Sequence, residues 1–60
     1  MPYVNVKVAG SLTFDQRKEI ARRFSETLFE VAGKKPDTTY VVFEEIGRDH
    51  WAVGDRMLSE

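Results

Sequence analysis

A single βαβ unit with a short C-terminal strand or hairpin, an α/β (α+β) fold completed by oligomerisation, is the architecture the sequence predicts. Three observations predict it: an alternating strand pattern at the start (PYVNVKV), an amphipathic segment with start and stop signals over 13–36, and a β-rich run at 38–46 (TTYVVFEEI). Sixty residues make one domain, 1–60. A chain this short buries only about 60% of its unfolded surface and is marginal alone. It has no cysteine and one histidine, so disulfides and a zinc site are removed as supports. Oligomerisation is the support that remains.

In the first strand, residues 2–8, Val4, Val6 and Val8 point one way and Tyr3, Asn5 and Lys7 the other, because the side-chain period is two. Ala9-Gly10-Ser11-Leu12 connects it to a helix over about 13–32. Thr13 and Gln16 have the spacing of a capping box, in which hydroxyl and amide satisfy orphan N–H groups. Asp15 suits the positive end of the helix dipole. Phe14, Ile20, Phe24, Leu28 and Val31, with Ala21 and Ala32, predict one apolar stripe, with Arg17, Lys18, Arg22, Arg23, Glu26 and Glu30 largely off it. Gly33 is the C-cap, Lys34 and Lys35 complement the dipole, and Pro36 stops the helix. In the second strand, apolar residues at 40–43 occupy both faces, which expects cover on both sides. GRDHWAVGDRM then reads as a turn, a short strand or hairpin around Trp51–Val53, and a polar tail.

The first strand should run about 23 Å and the helix about 28 Å. Such a helix returns the chain to where the first strand began, so the second strand lies parallel to it in a right-handed unit. One helix on two strands leaves a bare sheet face and open edges. Another copy of the chain is the simplest cover.

Composition narrows the function. Nine Lys/Arg against ten Asp/Glu give a net charge of −1, with no basic stripe for nucleic acid. No apolar run reaches membrane-spanning length, and the start lacks the layout of a secretory signal. A cytoplasmic protein without nucleic-acid or membrane partners fits. Pro2 remains open on position alone: proline is tolerated at the first residue of a strand, yet removal of Met1 would make it a free secondary amine. Tyr40 and Trp51 read equally as packing residues of a small oligomer. His50, the lone histidine, reads as a turn residue beside Asp49.

The Met-Pro start, the βαβ unit of about sixty residues, a helix opening at Asp15-Gln16-Arg17 and the late HWAVG stretch at 50–54 together resemble the 4-oxalocrotonate tautomerase family. The resemblance covers nearly the whole chain, and its most specific element is the Met-Pro start paired with that late stretch. It implies a tautomerase-like domain over 1–60, with dimers as building blocks of a hexamer. It implies an isomerase in which Pro2, freed of Met1, shuttles a proton in keto–enol conversion of a small 2-oxo acid or enol, without metal or organic cofactor. It implies that Trp51 stands where the pocket aromatic belongs.

Two arginines that hold carboxylates in the family have no counterpart: Leu12 and Tyr40 stand in their places. A dicarboxylate in an apolar pocket needs paired charge, for which the Arg fork is suited. Leu12 supplies no polar group, and Tyr40 supplies one hydroxyl. This favours a monoacid or aryl enol over 2-hydroxymuconate. Arg48 and Arg56 are candidates to replace the lost cations from a neighbouring subunit. Two alternatives stand beside the tautomerase: a related proline-dependent hydratase, dehalogenase or decarboxylase on small acrylates, and a non-catalytic oligomeric binding domain.

Overall fold

The computed structural model describes all residues from 1 to 60. Strand β1 (Tyr3–Ala9) leads to helix α1 (Phe14–Ala32), a 3-10 turn at Pro36–Thr38 and strand β2 (Tyr40–Ile46). A second 3-10 turn, Arg48–His50, precedes β3 (Ala52–Val53) and β4 (Arg56–Met57). β1 and β2 pair in parallel, in register from Tyr3 opposite Tyr40 to Ala9 opposite Ile46, while β3 and β4 form a separate antiparallel hairpin. The expected elements are all present.

Local signals account for the helix. The Thr13 hydroxyl accepts from the Gln16 N–H at 3.1 Å, and the Gln16 side-chain oxygen accepts from the Thr13 N–H at 2.9 Å. Such a cap contributes about 1 kcal/mol. Gly33, at φ 68°, turns the chain out of the helix in the left-handed region, and its N–H bonds to the Phe29 carbonyl at 2.9 Å. In the hairpin, Gly54-Asp55 forms a two-residue loop between paired Val53 and Arg56, and Gly54 alone takes positive φ, 63°. That is the glycine-first pattern of a tight hairpin turn.

Alternation divides the sheet into two faces. Val4, Val6, Val8, Val41 and Phe43 are half-buried on the helix side, as are Ile20, Ala21 and Leu28 on the helix. Tyr3, Asn5, Lys7, Tyr40, Val42 and Glu44 lie on the helix-free side, where Tyr3 is 63% and Tyr40 56% exposed.

The stripe differs from expectation in two ways. Phe14, Phe24 and Val31 are 67%, 41% and 83% exposed, because a sheet of two strands about 4.8 Å apart is too narrow to cover the whole stripe of a helix about 10 Å across. Arg17, expected off the stripe, is on the packed side with its side chain 34% exposed. Its stem covers apolar surface while its Nη1 donates to the Leu12 carbonyl at 2.6 Å and to Glu45 Oε1 at 2.5 Å. One guanidinium thus ties the β1–α1 loop to β2.

The chain alone lacks a closed core, and none of its 60 residues is fully buried. Its radius of gyration is 14.5 Å, against about 10 Å for a compact chain of this length. Its accessible surface is 4852 Å², about a fifth above what a folded monomer of this mass exposes. Surplus surface, a bare sheet face and open strand edges ask for a second copy. We expect sedimentation at micromolar concentration to give a mass several times 6.9 kDa, and a mass near 6.9 kDa would contradict this.

Replacing Arg17 with Met should keep the stem and lose the tie, lowering stability by about 1–2 kcal/mol in urea unfolding. An unchanged midpoint would show that the tie contributes nothing. On the exposed helix face, Arg22 grips Glu19 at 2.6 and 3.1 Å and Arg23 adds a contact at 2.7 Å. Hydrogen bonds from Arg22 and then Arg23 lower the Glu19 carboxyl from 4.5 to about 2. Because the folded-state value is depressed, its contribution is complete above about pH 4.5 and lost as pH falls toward 2. Glu19→Gln should therefore lose less thermal stability than wild type between those values, as followed by circular dichroism.

Candidate active site

Pro2 is half-buried at the entrance to β1, and its carbonyl accepts the Tyr40 N–H at 2.9 Å. This bond extends the parallel ladder by one step and fixes the start of β2 beside the proline. Proline has no N–H to offer there, so the sheet loses nothing by its presence. Its nitrogen is amide-bonded to Met1, which is 88% exposed. As an amide that nitrogen has no basicity, whereas cleavage of Met1 would leave a secondary amine.

Tyr40 opens β2 directly across from Tyr3, so the two phenols share the helix-free face next to the proline. Asn5 follows on the same face and donates through Nδ2 to the Tyr3 hydroxyl at 3.2 Å and to Glu44 Oε1 at 2.7 Å. Sequence reasoning had singled out Tyr40 but not Tyr3, Asn5 or Glu44. The available signal was the placement of a tyrosine at the head of each strand, which becomes informative only once the register is known.

Leu12 is half-buried in the β1–α1 loop. With Ile20 it contributes the apolar part of a shallow groove of about 410 Å³ along the helix, which Asp15, Gln16, Glu19 and Arg23 also line. A second groove, of about 320 Å³, lies between Phe14, Ala21 and Phe43. Neither is lined by Pro2, Tyr40 or Trp51, so the cavities of the isolated chain lie apart from the residues with the relevant chemistry. One copy provides no pocket at the proline.

Trp51 stands elsewhere. It follows β2, whose last residue, Ile46, is about 20 Å from Tyr40 at the ordinary strand rise. The five steps from Ile46 to Trp51 span at most about 18 Å even if extended, and three of those residues are coiled in the Arg48–His50 turn. Within one chain, therefore, Pro2 and Tyr40 come together and Trp51 does not join them. The Trp51 carbonyl accepts the Leu58 N–H at 2.9 Å, which roots the hairpin, and its indole Nε1 is buried without a hydrogen-bond partner.

The remaining polar groups have simpler settings. His50 is 73% exposed in the Arg48–His50 turn, with its Nε2 4.0 Å from Asp49 Oδ2. Arg48 and Arg56 form no ion pair within the chain. No group of three or more His, Asp or Glu side chains gathers as a metal centre requires, and no helix is long and apolar enough to cross a membrane.

The chain as a whole is similar to known proteins. The family profile described as "Tautomerase enzyme" matches residues 2–60. A probable tautomerase from Bacillus cereus is 35% identical over all of this chain and 98% of its own length. The 2-hydroxymuconate tautomerase of Bacillus subtilis is 33% identical over all of this chain and 97% of its own length. Among solved structures, YwhB, a homologue of 4-oxalocrotonate tautomerase, superposes with a TM-score of 0.87 at 32% identity, covering 98% of this chain and 97% of that one. With its βαβ unit, its terminal hairpin and a match from the proline to the last residue, the chain belongs to the tautomerase family, among the homologues of 4-oxalocrotonate tautomerase.

Proposed function

We propose that this protein is a tautomerase that moves a proton between the oxygen and a carbon of a small 2-oxo acid or its enol, with Pro2 as the acid–base group. The observation that carries the reading is the 2.9 Å bond between the Pro2 carbonyl and the Tyr40 N–H, which sets a hydroxyl-bearing residue beside the proline. Met1 is exposed to a processing peptidase. Once it is removed, the neutral Pro2 nitrogen takes the enol hydroxyl proton, the C=O bond forms, and the prolinium returns a proton to carbon. The net change is isomerisation, with the proline regenerated.

Tyr40 donates its hydroxyl to the carbonyl or carboxylate oxygen of the substrate. An α-amino group titrates near 7.7–8.0, and burial favours its neutral form at lower pH. Trp51 from another copy closes the pocket and supplies this burial, in a hexamer built from dimers. The working location is the cytoplasm, and the chemistry calls on no metal or organic cofactor.

Leu12 and Tyr40 replace two cations, so the preferred substrate is a monoacid or aryl enol rather than the substrate in the name of the Bacillus subtilis relative. The same replacement favours the rival reading of an oligomeric binding domain without catalysis.

Ultraviolet assay of phenylenolpyruvate conversion by protein lacking Met1 decides between them. Pro2→Ala should lose roughly 100-fold in kcat/KM, the lower end of what a positioned acid–base group contributes. The wild-type rate should rise with pH as the amine loses its proton. Tyr40→Phe should lose about tenfold, the loss of one hydrogen bond to a charged group. A wild-type rate no faster than the uncatalysed background would leave the binding-domain reading, and a Pro2→Ala rate equal to a measurable wild-type rate would remove Pro2 from the chemistry.

A further inference from the structure

We propose that Arg56, carried on the same hairpin face as Trp51, is the cation that holds the substrate carboxylate in the pocket of a neighbouring copy. The inference rests on the proposed function for one point, that Trp51 of one copy closes the pocket at Pro2 of another.

Register fixes which side chains accompany Trp51. Ala52 stands opposite Met57 and Val53 opposite Arg56. The Leu58 N–H, bonded to the Trp51 carbonyl at 2.9 Å, extends this pairing by one step toward the root. Side chains two apart on a strand share a face, and so do those directly opposite across a pair. Trp51, Val53, Arg56 and Leu58 therefore lie on one face of the hairpin, and Ala52 and Met57 on the other. Trp51 and Arg56 are diagonal neighbours, about 7–8 Å apart, a separation that an aromatic and a long side chain can bridge. Arg48 has no such tie, because it sits in the turn ahead of the hairpin, outside the paired strands.

Arg56 is also uncommitted. It is exposed and forms no ion pair, although Asp55 and Glu60 are close in sequence. Glu60 directs its carboxylate to the Met57 N–H instead, at 2.5 Å. The hairpin tip thus presents a 69% exposed valine, Val53, opposite a free guanidinium.

A pocket of the proposed kind needs such a group. It holds a neutral proline nitrogen at the start of the reaction, a phenol and an indole, and no cation. A carboxylate taken from water into that setting is strongly disfavoured unless it is paired and hydrogen-bonded. The arginine fork meets both carboxylate oxygens at once. One fork takes one carboxylate, in keeping with a monoacid substrate.

The test uses two probes that do not turn over, 3-phenylpropanoate and its neutral amide, titrated by NMR into the assembled protein lacking Met1. Wild type should bind the acid roughly tenfold tighter than the amide, the lower end of what a hydrogen bond to a charged group is worth. Arg56→Gln should erase that preference and leave the affinity for the amide unchanged. Arg56→Lys, which keeps the charge without the fork, should weaken the preference about three-fold at wild-type sedimentation mass. Equal affinity of wild type for acid and amide would overturn the proposal. So would a preference that survives Arg56→Gln, one untouched by Arg56→Lys, or one lost with Arg48→Gln instead. The enol assay is read separately. An acid preference that depends on Arg56 without turnover keeps the site and removes the isomerase, and turnover with a preference indifferent to Arg56 does the reverse.

Discussion

The parallel pairing of β1 with β2 is the constraint on which the rest depends. A parallel pair cannot be closed by a tight turn, and it requires a crossover that returns the chain over the length of a strand. Helix α1 meets that requirement, with a capping box at one end and a left-handed glycine at the other. The pairing is bonded beyond the strands at both ends, by Tyr40 N–H to the Pro2 carbonyl and Gly10 N–H to the Ile46 carbonyl, each at 2.9 Å. The first of these bonds turns a sheet into a candidate site, because it sets the start of one strand against the start of the other.

Packing supplements this frame sparingly. One helix covers one face of two strands, and the polar tie from Arg17 to Glu45 and the Leu12 carbonyl sits where a larger domain would place another apolar layer. A half-buried ion pair with directed hydrogen bonds holds geometry well, but it cannot replace the burial that a larger core supplies. Stability and function therefore make the same demand on the surroundings. The surface that leaves the chain under-buried is also the surface beside Pro2.

Much of the fold was legible because its signals are local. The alternation of Val4, Val6 and Val8, the Thr13–Gln16 box and the Gly33–Pro36 stop are each read within a few residues. What escaped reading depended on three-dimensional register. Arg17 reads as a solvated charge until Glu45 is known to lie within its reach. Tyr3 reads as the polar side of a strand until it is found opposite Tyr40, with Asn5 and Glu44 bonded beside it. Phe14, Phe24 and Val31 fit the helical period and still stay exposed, because periodicity reports which side a residue takes and not how much sheet lies beneath it. Pro2, Tyr40 and Trp51 were named from the sequence by resemblance, and the fold joins only the first two.

The distance between Pro2 and Trp51 has a consequence for inheritance. Any pocket that used both would belong jointly to two copies, and under the proposed reading no copy would own its site. In a cell making two versions of the chain, an altered Trp51 would damage sites whose proline is intact, while its own proline could be served by an unaltered neighbour. Defects at the two residues would then complement in mixed assemblies, restoring some whole sites from two broken parents. On that reading a sixty-residue chain would have a genetics usually associated with multisubunit machines.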